Sequence, residues 1–183
     1  MANDITQLLE QIHIGNKDAE GQLVDVVYPK LKNIARKQMR SERSGHTLQA
    51  TALINEVYLE LFKSSDRSWD TRNDFFAYAA TTMRHILVNH ARKKNTQKRG
   101  GDLLQVTLID LPSEDQKEDD LIILDEALSK LAKIDERKSK IVELRFFGGL
   151  TIEEIAQVIE LSTSSVNKEL KAARGWLFHK MKG

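Results

Sequence analysis

The stretch TIEEIAQVIELSTSSVNKELKAARGWL, residues 151–177, contains two short amphipathic runs that meet at Glu160-Leu161-Ser162. Its first arm carries glutamates and its second carries lysines. At about 100° per residue, Val166, Leu170, Ala173 and Leu177 fall within an arc of about 60°, so this stripe faces inward. Ser164, Lys168, Lys171 and Gly175 lie opposite, with Asn167 and Arg174 on one shoulder. On the first arm Ile152, Ile155, Ala156 and Ile159 turn inward. Thr151 to Glu154 reads as a capping box, and Ser162 is placed to cap the second arm. This is the plan of a helix-turn-helix, whose second helix enters the major groove and meets base edges with its N-terminal residues. Acid on the first arm suits that helix's N-terminal dipole, and base on the second suits phosphate. Ser164, Asn167, Lys168, Lys171 and Arg174 are therefore candidate DNA contacts. An ordinary helical hairpin with a solvated basic face is the competing reading. Glu160 occupies the position where glycine commonly supplies a left-handed turn. A side chain there costs on the order of 1 kcal/mol, so a slightly different turn is expected.

A second basic face lies upstream, in TRNDFFAYAATTMRHILVNHARKKN, residues 71–95. Phe76, Ala80, Met83, Leu87 and Ala91 form an inward stripe. Tyr78, Thr81, His85, Asn89 and Arg92 share the far side, flanked by Thr82, Arg84 and Lys93. From Phe75 to Arg99 there is no acidic residue. Hydroxyl, amide, imidazole and cation without acid can hold phosphates and read bases. Trp69, in the polar loop just before, can stack on a base, although a loop anchor packed on its own domain is an equal reading. His85 and His90 project about 140° apart at helical spacing, which does not make a zinc pair. In TLQATALINEVYLELFK, residues 47–63, Ala50, Leu53, Ile54, Val57 and Leu61 make the core stripe. Asn55, Glu56, Leu59 and Phe62 point elsewhere, and apolar residues among polar ones suggest a protein-binding face. Coverage by the N-terminal helices is the alternative.

The 183-residue chain is 40% hydrophobic and 30% charged, with 9 glycines, 2 prolines and net charge +1. The spacing predicts an all-α protein with helices near 3–14, 18–42 (disturbed at Pro29), 48–63, 71–95, 119–132, 135–147, 151–159 and 163–180. Asn3 or Asp4, Thr71 with Asp74, and Asp135 are the expected N-caps of three of these helices. The intervening TQKRGGDLLQVTLIDLPSEDQKE, residues 96–118, holds Gly100-Gly101 and Pro112 and turns acidic from Asp110 to Asp120. It reads as a flexible acidic linker between two small helical domains, 1–95 and 119–183, with room for a short strand at 103–109. Fully extended, such a linker reaches on the order of 70 Å at about 3.3 Å per residue.

Several function classes are excluded. No apolar run is long enough to span a membrane, and the N-terminus has no signal-peptide pattern. The absence of cysteine removes disulfides and thiol chemistry and fits a cytoplasmic protein. There is no carboxylate cluster for magnesium, no phosphate-binding glycine loop and no nucleophile–base set. Catalytic residues, metal and cofactor are therefore expected to be absent.

Taken in order, QATALINEVYLELF, then W…FFAYAATTMRHILVNHARKK, the acidic linker, and LRFFGGLTIEEIA followed by SSVNKELKAAR resemble an extracytoplasmic-function (ECF) sigma factor of the sigma-70 family. The likeness covers nearly the whole chain. It implies a transcription initiation subunit in which domain 1–95 binds core RNA polymerase and the minus-10 promoter element. Asn55, Glu56 and Leu59 would dock on the β′ clamp. Trp69, Tyr78, Thr81, Arg84, His85, Asn89, Arg92 and Lys93 would face the minus-10 strand. Domain 119–183 would read the minus-35 element through Ser164, Asn167, Lys168, Lys171 and Arg174 and touch the β flap. An anti-sigma factor is a further conceivable partner. A stand-alone helix-turn-helix transcriptional regulator accounts for residues 151–180 but leaves the second basic helix and Leu59 unexplained.

Overall fold

The computed structural model describes residues 2–38, 47–63, 69–97 and 120–182. Among them are eight helices and no strand: α1 (Ala2–His13), α2 (Lys17–Gln38), α3 (Thr47–Phe62), α4 (Arg72–Gln97), α5 (Asp120–Ile134), α6 (Glu136–Phe146), α7 (Ile152–Ile159) and α8 (Thr163–Lys182). The protein is all-α. The expected linker loses Thr96 and Gln97 to α4, and the rest of it, with the suggested strand at 103–109, lies outside the described residues.

Local chemistry sets most of the helix ends. The Thr71 hydroxyl accepts from the Asp74 amide at 3.1 Å and the Asp74 carboxylate accepts from the Thr71 amide at 3.0 Å, which closes a capping box at the start of α4. Asp135 caps α6 by accepting from the Lys138 amide at 3.0 Å. At α1 the helix begins at Ala2, so Asn3 and Asp4 sit in its first turn instead of preceding it. In α2 the helix continues through Pro29, which cannot donate to the carbonyl of Asp25.

The N-terminal half, α1–α4, buries Leu9, Leu23, Val27, Leu31, Leu53, Ile54, Val57 and Leu61 around α4. The C-terminal half, α5–α8, buries Leu124, Leu128, Ile141, Leu144, Phe147, Leu150, Ile155, Val166, Leu170 and Leu177. Each such large aliphatic side chain is worth roughly 1.5–3 kcal/mol when fully withdrawn from water. The expected stripe of α8, Val166, Leu170, Ala173 and Leu177, is buried in full.

α4 departs from the single-stripe expectation. Besides Phe76, Ala80, Met83, Leu87 and Ala91, it buries Phe75, Ala79, Thr82, Arg84, Ile86 and Val88. The physical reason is that α4 is packed from two sides, by α1 and α3 on one and by α5, α6 and α7 on the other. A close approach is made by the loop after α6. A Cβ on Gly148 would lie 3.0 Å from the Ala80 Cβ and 2.6 Å from the Leu144 carbonyl oxygen. On Gly149, which has φ +61°, it would lie 2.6 Å from Cγ1 of Ile34. The two glycines let this loop lie flat on α2 and α4.

Candidate nucleic-acid interface

The helix-turn-helix is built by α7 and α8. Thr151 and Glu154 form the reciprocal capping box: the Glu154 carboxylate accepts from the Thr151 amide at 2.8 Å, and the Thr151 hydroxyl accepts from the Glu154 amide at 3.2 Å. At the other end Glu160 itself takes the left-handed conformation, φ 59° and ψ 43°, and the Leu161 amide donates to the Ala156 carbonyl at 3.0 Å. The turn thus keeps the geometry glycine would give it, and the side chain accepts the steric cost. Ser162 caps α8 by accepting from the Ser165 amide at 3.1 Å. Arg137 of α6 grips Glu169 through two bonds, one of them 2.9 Å from Nε to Oε2, and fixes the rotation of α8 on its support.

So oriented, α8 turns Ser164, Asn167, Lys168 and Lys171 to solvent, with Arg174 half-buried beside them. The C-terminal turn continues the basic character with His179, Lys180 and Lys182. The arrangement offers hydroxyl and amide groups near the helix N-terminus and cations behind them, a set that can read base edges and hold phosphates.

The second face, on α4, is differently placed. His85, Asn89, Arg92 and Lys93 are exposed, and Tyr78 and Thr81 are half-buried. Arg84, expected at the flank of an open face, is only 9% exposed. Its guanidinium donates from Nε to Asp125 Oδ1 at 2.8 Å, from Nη1 to Glu143 Oε1 at 3.3 Å, and from Nη2 to the Asp125 carbonyl at 3.0 Å and Ser129 Oγ at 3.1 Å. Arg92 reaches the other Asp125 oxygen at 3.1 Å. Thr81 donates to Glu143 Oε2 at 3.1 Å and accepts from Lys140 Nζ at 3.1 Å. Burial pushes the Glu143 carboxyl up, but Lys140, Arg84 and Thr81 together hold it below the ordinary glutamate value.

Trp69 is half-buried in an aromatic cluster, edge-on to Phe75 at 5.1 Å and to Phe62 at 5.8 Å between ring centroids, and 6.0 Å from Tyr78. It anchors its loop on its own half and keeps part of the ring accessible. Phe62 belongs to this cluster too, so it does not extend the α3 surface as the sequence reading had it. On α3, Asn55 and Glu56 are exposed and Leu59 is 63% exposed, a large apolar side chain open to solvent. Glu56 meets His90 Nε2 of α4 at 3.1 Å.

Lys30, Arg72, Asp125, Ser129, Lys140 and Glu143 were not singled out from the sequence, and Glu154 was read only as part of a helix cap, yet they join the two halves. Glu154, while capping α7, also accepts from Lys30 Nζ at 3.1 Å and from Arg72 Nη2 at 3.0 Å. The one signal in the sequence was Gly148-Gly149, since adjacent glycines after a helix call for a close neighbour. Among the described residues no group of three or more histidine or acidic side chains is placed to hold a metal ion. No described helix is long and apolar enough to cross a membrane.

Comparison with known proteins identifies the family. The chain is 23% identical over 175 residues to the ECF RNA polymerase sigma factor SigK of Mycobacterium ulcerans (strain Agy99), covering 94% of this chain and 90% of the relative. The ECF sigma factor family pattern matches residues 2–183, nearly the entire chain, which therefore belongs to the ECF sigma factor family and has the role of an RNA polymerase sigma factor.

Proposed function

We propose that this sigma factor directs promoter-specific initiation through three surfaces carried by two domains, the N-terminal half and the C-terminal half. α8 reads the minus-35 element, α4 with the Trp69 loop engages the minus-10 element, and α3 docks on the β′ clamp of core polymerase through Asn55, Glu56 and Leu59. The C-terminal half also touches the β flap, and the work is done in the cytoplasm. The observation that supports this most is the outward row Ser164, Asn167, Lys168 and Lys171 on the second helix of a capped helix-turn-helix, with Val166, Leu170, Ala173 and Leu177 buried behind it. That orientation supports a reading in which the polar groups meet base edges and the cations meet phosphates.

The test is transcription in vitro. Core polymerase with this factor should initiate on a subset of a promoter pool that core alone ignores, and footprints should cover both elements. Initiation that is independent of the factor, or a footprint confined to one helix-turn-helix site without bound polymerase, would favour a stand-alone regulator.

A further inference from the structure

We propose that His90 of α4 is a positioning residue for docking on core polymerase: its ring holds the Glu56 carboxylate of α3 in the orientation in which that carboxylate meets the polymerase. The inference rests on the proposed docking role of α3 and adds to it a residue from the neighbouring helix.

The contact is specific in its geometry. His90 Nε2 lies 3.1 Å from Oε1 and 3.1 Å from Oε2 of Glu56, so one ring nitrogen is centred on the carboxylate. A carboxylate accepts and does not donate, so Nε2 carries the hydrogen. The two oxygens offer about four acceptor sites between them. The Glu56 side chain remains 52% exposed, which leaves its other sites open to a cation or an N–H group of a partner.

The support beneath the pair is fixed. α3 packs on α4, and the chain neighbours of the two residues, Val57 and Ala91, are buried, as is Leu87 one turn before His90. Core contacts thus set the spacing of the helices, and the pair spans the rim of the seam between them. The next acid on α3 is committed differently, since Glu60 pairs with Lys63 of its own helix at 3.3 Å. Within the proposed docking set, Glu56 is the acid that another helix holds, and exposed Leu59 follows it on the next turn of α3. A free glutamate loses rotamer freedom when it docks, and one already ordered by His90 loses less. An exposed pair of this kind adds little to folding stability, so its effect belongs to binding and not to the fold.

The test is the affinity of the full chain for core polymerase, measured without DNA so that promoter contacts of α4 do not enter. His90→Ala should raise Kd about two- to tenfold, the equivalent of ordering one side chain on binding. Its urea midpoint should match the parent's. The amide nitrogen of a glutamine stands where histidine carries Nε2, whereas that of an asparagine stands where it carries Nδ1. His90→Gln should therefore keep near-parental affinity, and His90→Asn should behave as His90→Ala does. In a Glu56→Ala background, His90→Ala should have no further effect.

Equal losses from His90→Ala with and without the Glu56 carboxylate would overturn the positioning role. So would equal affinities of the His90→Gln and His90→Asn variants. Unchanged affinity of His90→Ala beside weakened binding of Glu56→Ala would also overturn it, and docking by Glu56 would then stand without His90. Normal affinity of Glu56→Ala would instead remove Glu56 from the docking surface, and the positioning role with it. If His90→Ala lowers the urea midpoint, the comparison of His90→Gln with His90→Asn decides.

Discussion

α4 and α8 each carry cations on one side and a hydrophobic stripe on the other, yet their settings differ. On α8 the cations extend from a helix that is supported on its other side only. On α4 the support comes from two sides, and the second support is lined with carboxylates. Lys168 and Lys171 are exposed, whereas Arg84 is buried with Asp125, Ser129 and Glu143. A cationic side chain is thus open to solvent on one helix and a buried structural strut on the other. Position relative to a second packed layer decides which, more than charge or helical phase.

The strongest way to break the comparison is to remove a charge from each helix's neighbourhood and measure stability. Glu143→Ala removes one of the two carboxylates that hold buried Arg84 and should cost about 1.5–3 kcal/mol in urea unfolding of the full chain. Lys168→Ala should stay within about 0.5 kcal/mol of the parent, as exposed substitutions do. Equal losses would mean that the two settings are not energetically distinct.

Acid acts on the same carboxylates. Burial raises Glu143 and Glu154, but their cationic and hydrogen-bonding neighbours lower both below the ordinary value of 4.5 overall. A carboxyl lowered in the folded state contributes stability that is fully present above its unfolded value and lost as pH falls through its folded one. Glu143 is faced by Arg84 and Thr81 of α4 and Lys140 of α6, and Glu154 by Lys30 of α2, Arg72 of α4 and the Thr151 amide. Titration from pH 7 towards 3 should therefore lower the urea midpoint of the full chain. The parent chain should lose more stability over this range than a Glu143→Gln variant, which lacks that carboxylate at every pH.

Docking comes next in size. Leu59→Asp places a charge on the exposed apolar spot of α3 and should weaken core polymerase binding by about 2 kcal/mol or more if Leu59 is a central contact. DNA binding by α8 should be unaffected, and normal core affinity would move the docking face elsewhere. On α8, Lys168→Ala should cost about 1–3 kcal/mol on the preferred minus-35 sequence if the side chain meets a base. If it meets only phosphate, all sequences should lose alike and the salt slope should fall by about one unit. The smallest effect concerns the turn that sets the angle of α8: Glu160→Gly should stabilise the chain by up to about 1 kcal/mol, read as a raised urea midpoint.

Much of the C-terminal half was legible because its signals are local. The Thr151–Glu154 box, the Ser162 cap and the α8 stripe each involve residues a few positions apart, and helical periodicity reports such neighbours directly. The helix ends fell within a few residues for the same reason. α4 was half legible. Its wheel shows one apolar stripe, but Ala79, Ile86 and Val88 widen the buried arc, and only a second layer explains why Arg84 joins them. That layer lies 41 and 59 positions away in sequence, at Asp125 and Glu143, where no periodicity reaches. Phe62 was read as an outward group and Trp69 was left between a base-stacking group and a loop anchor, because the aromatic cluster that gathers them draws residues from two helices and a loop. The turn at Glu160 was read as altered, whereas the surrounding helices hold a glutamate in a glycine-like conformation.

Glu154 carries one more consequence. The same carboxylate closes the first turn of α7 and receives Lys30 and Arg72 from the other half. The integrity of the helix-turn-helix and the association of the halves therefore share a single group and are not independent events. Substitutions at Thr151 and at Lys30, though on separate helices, should combine non-additively, because either one changes how firmly Glu154 is positioned for the other.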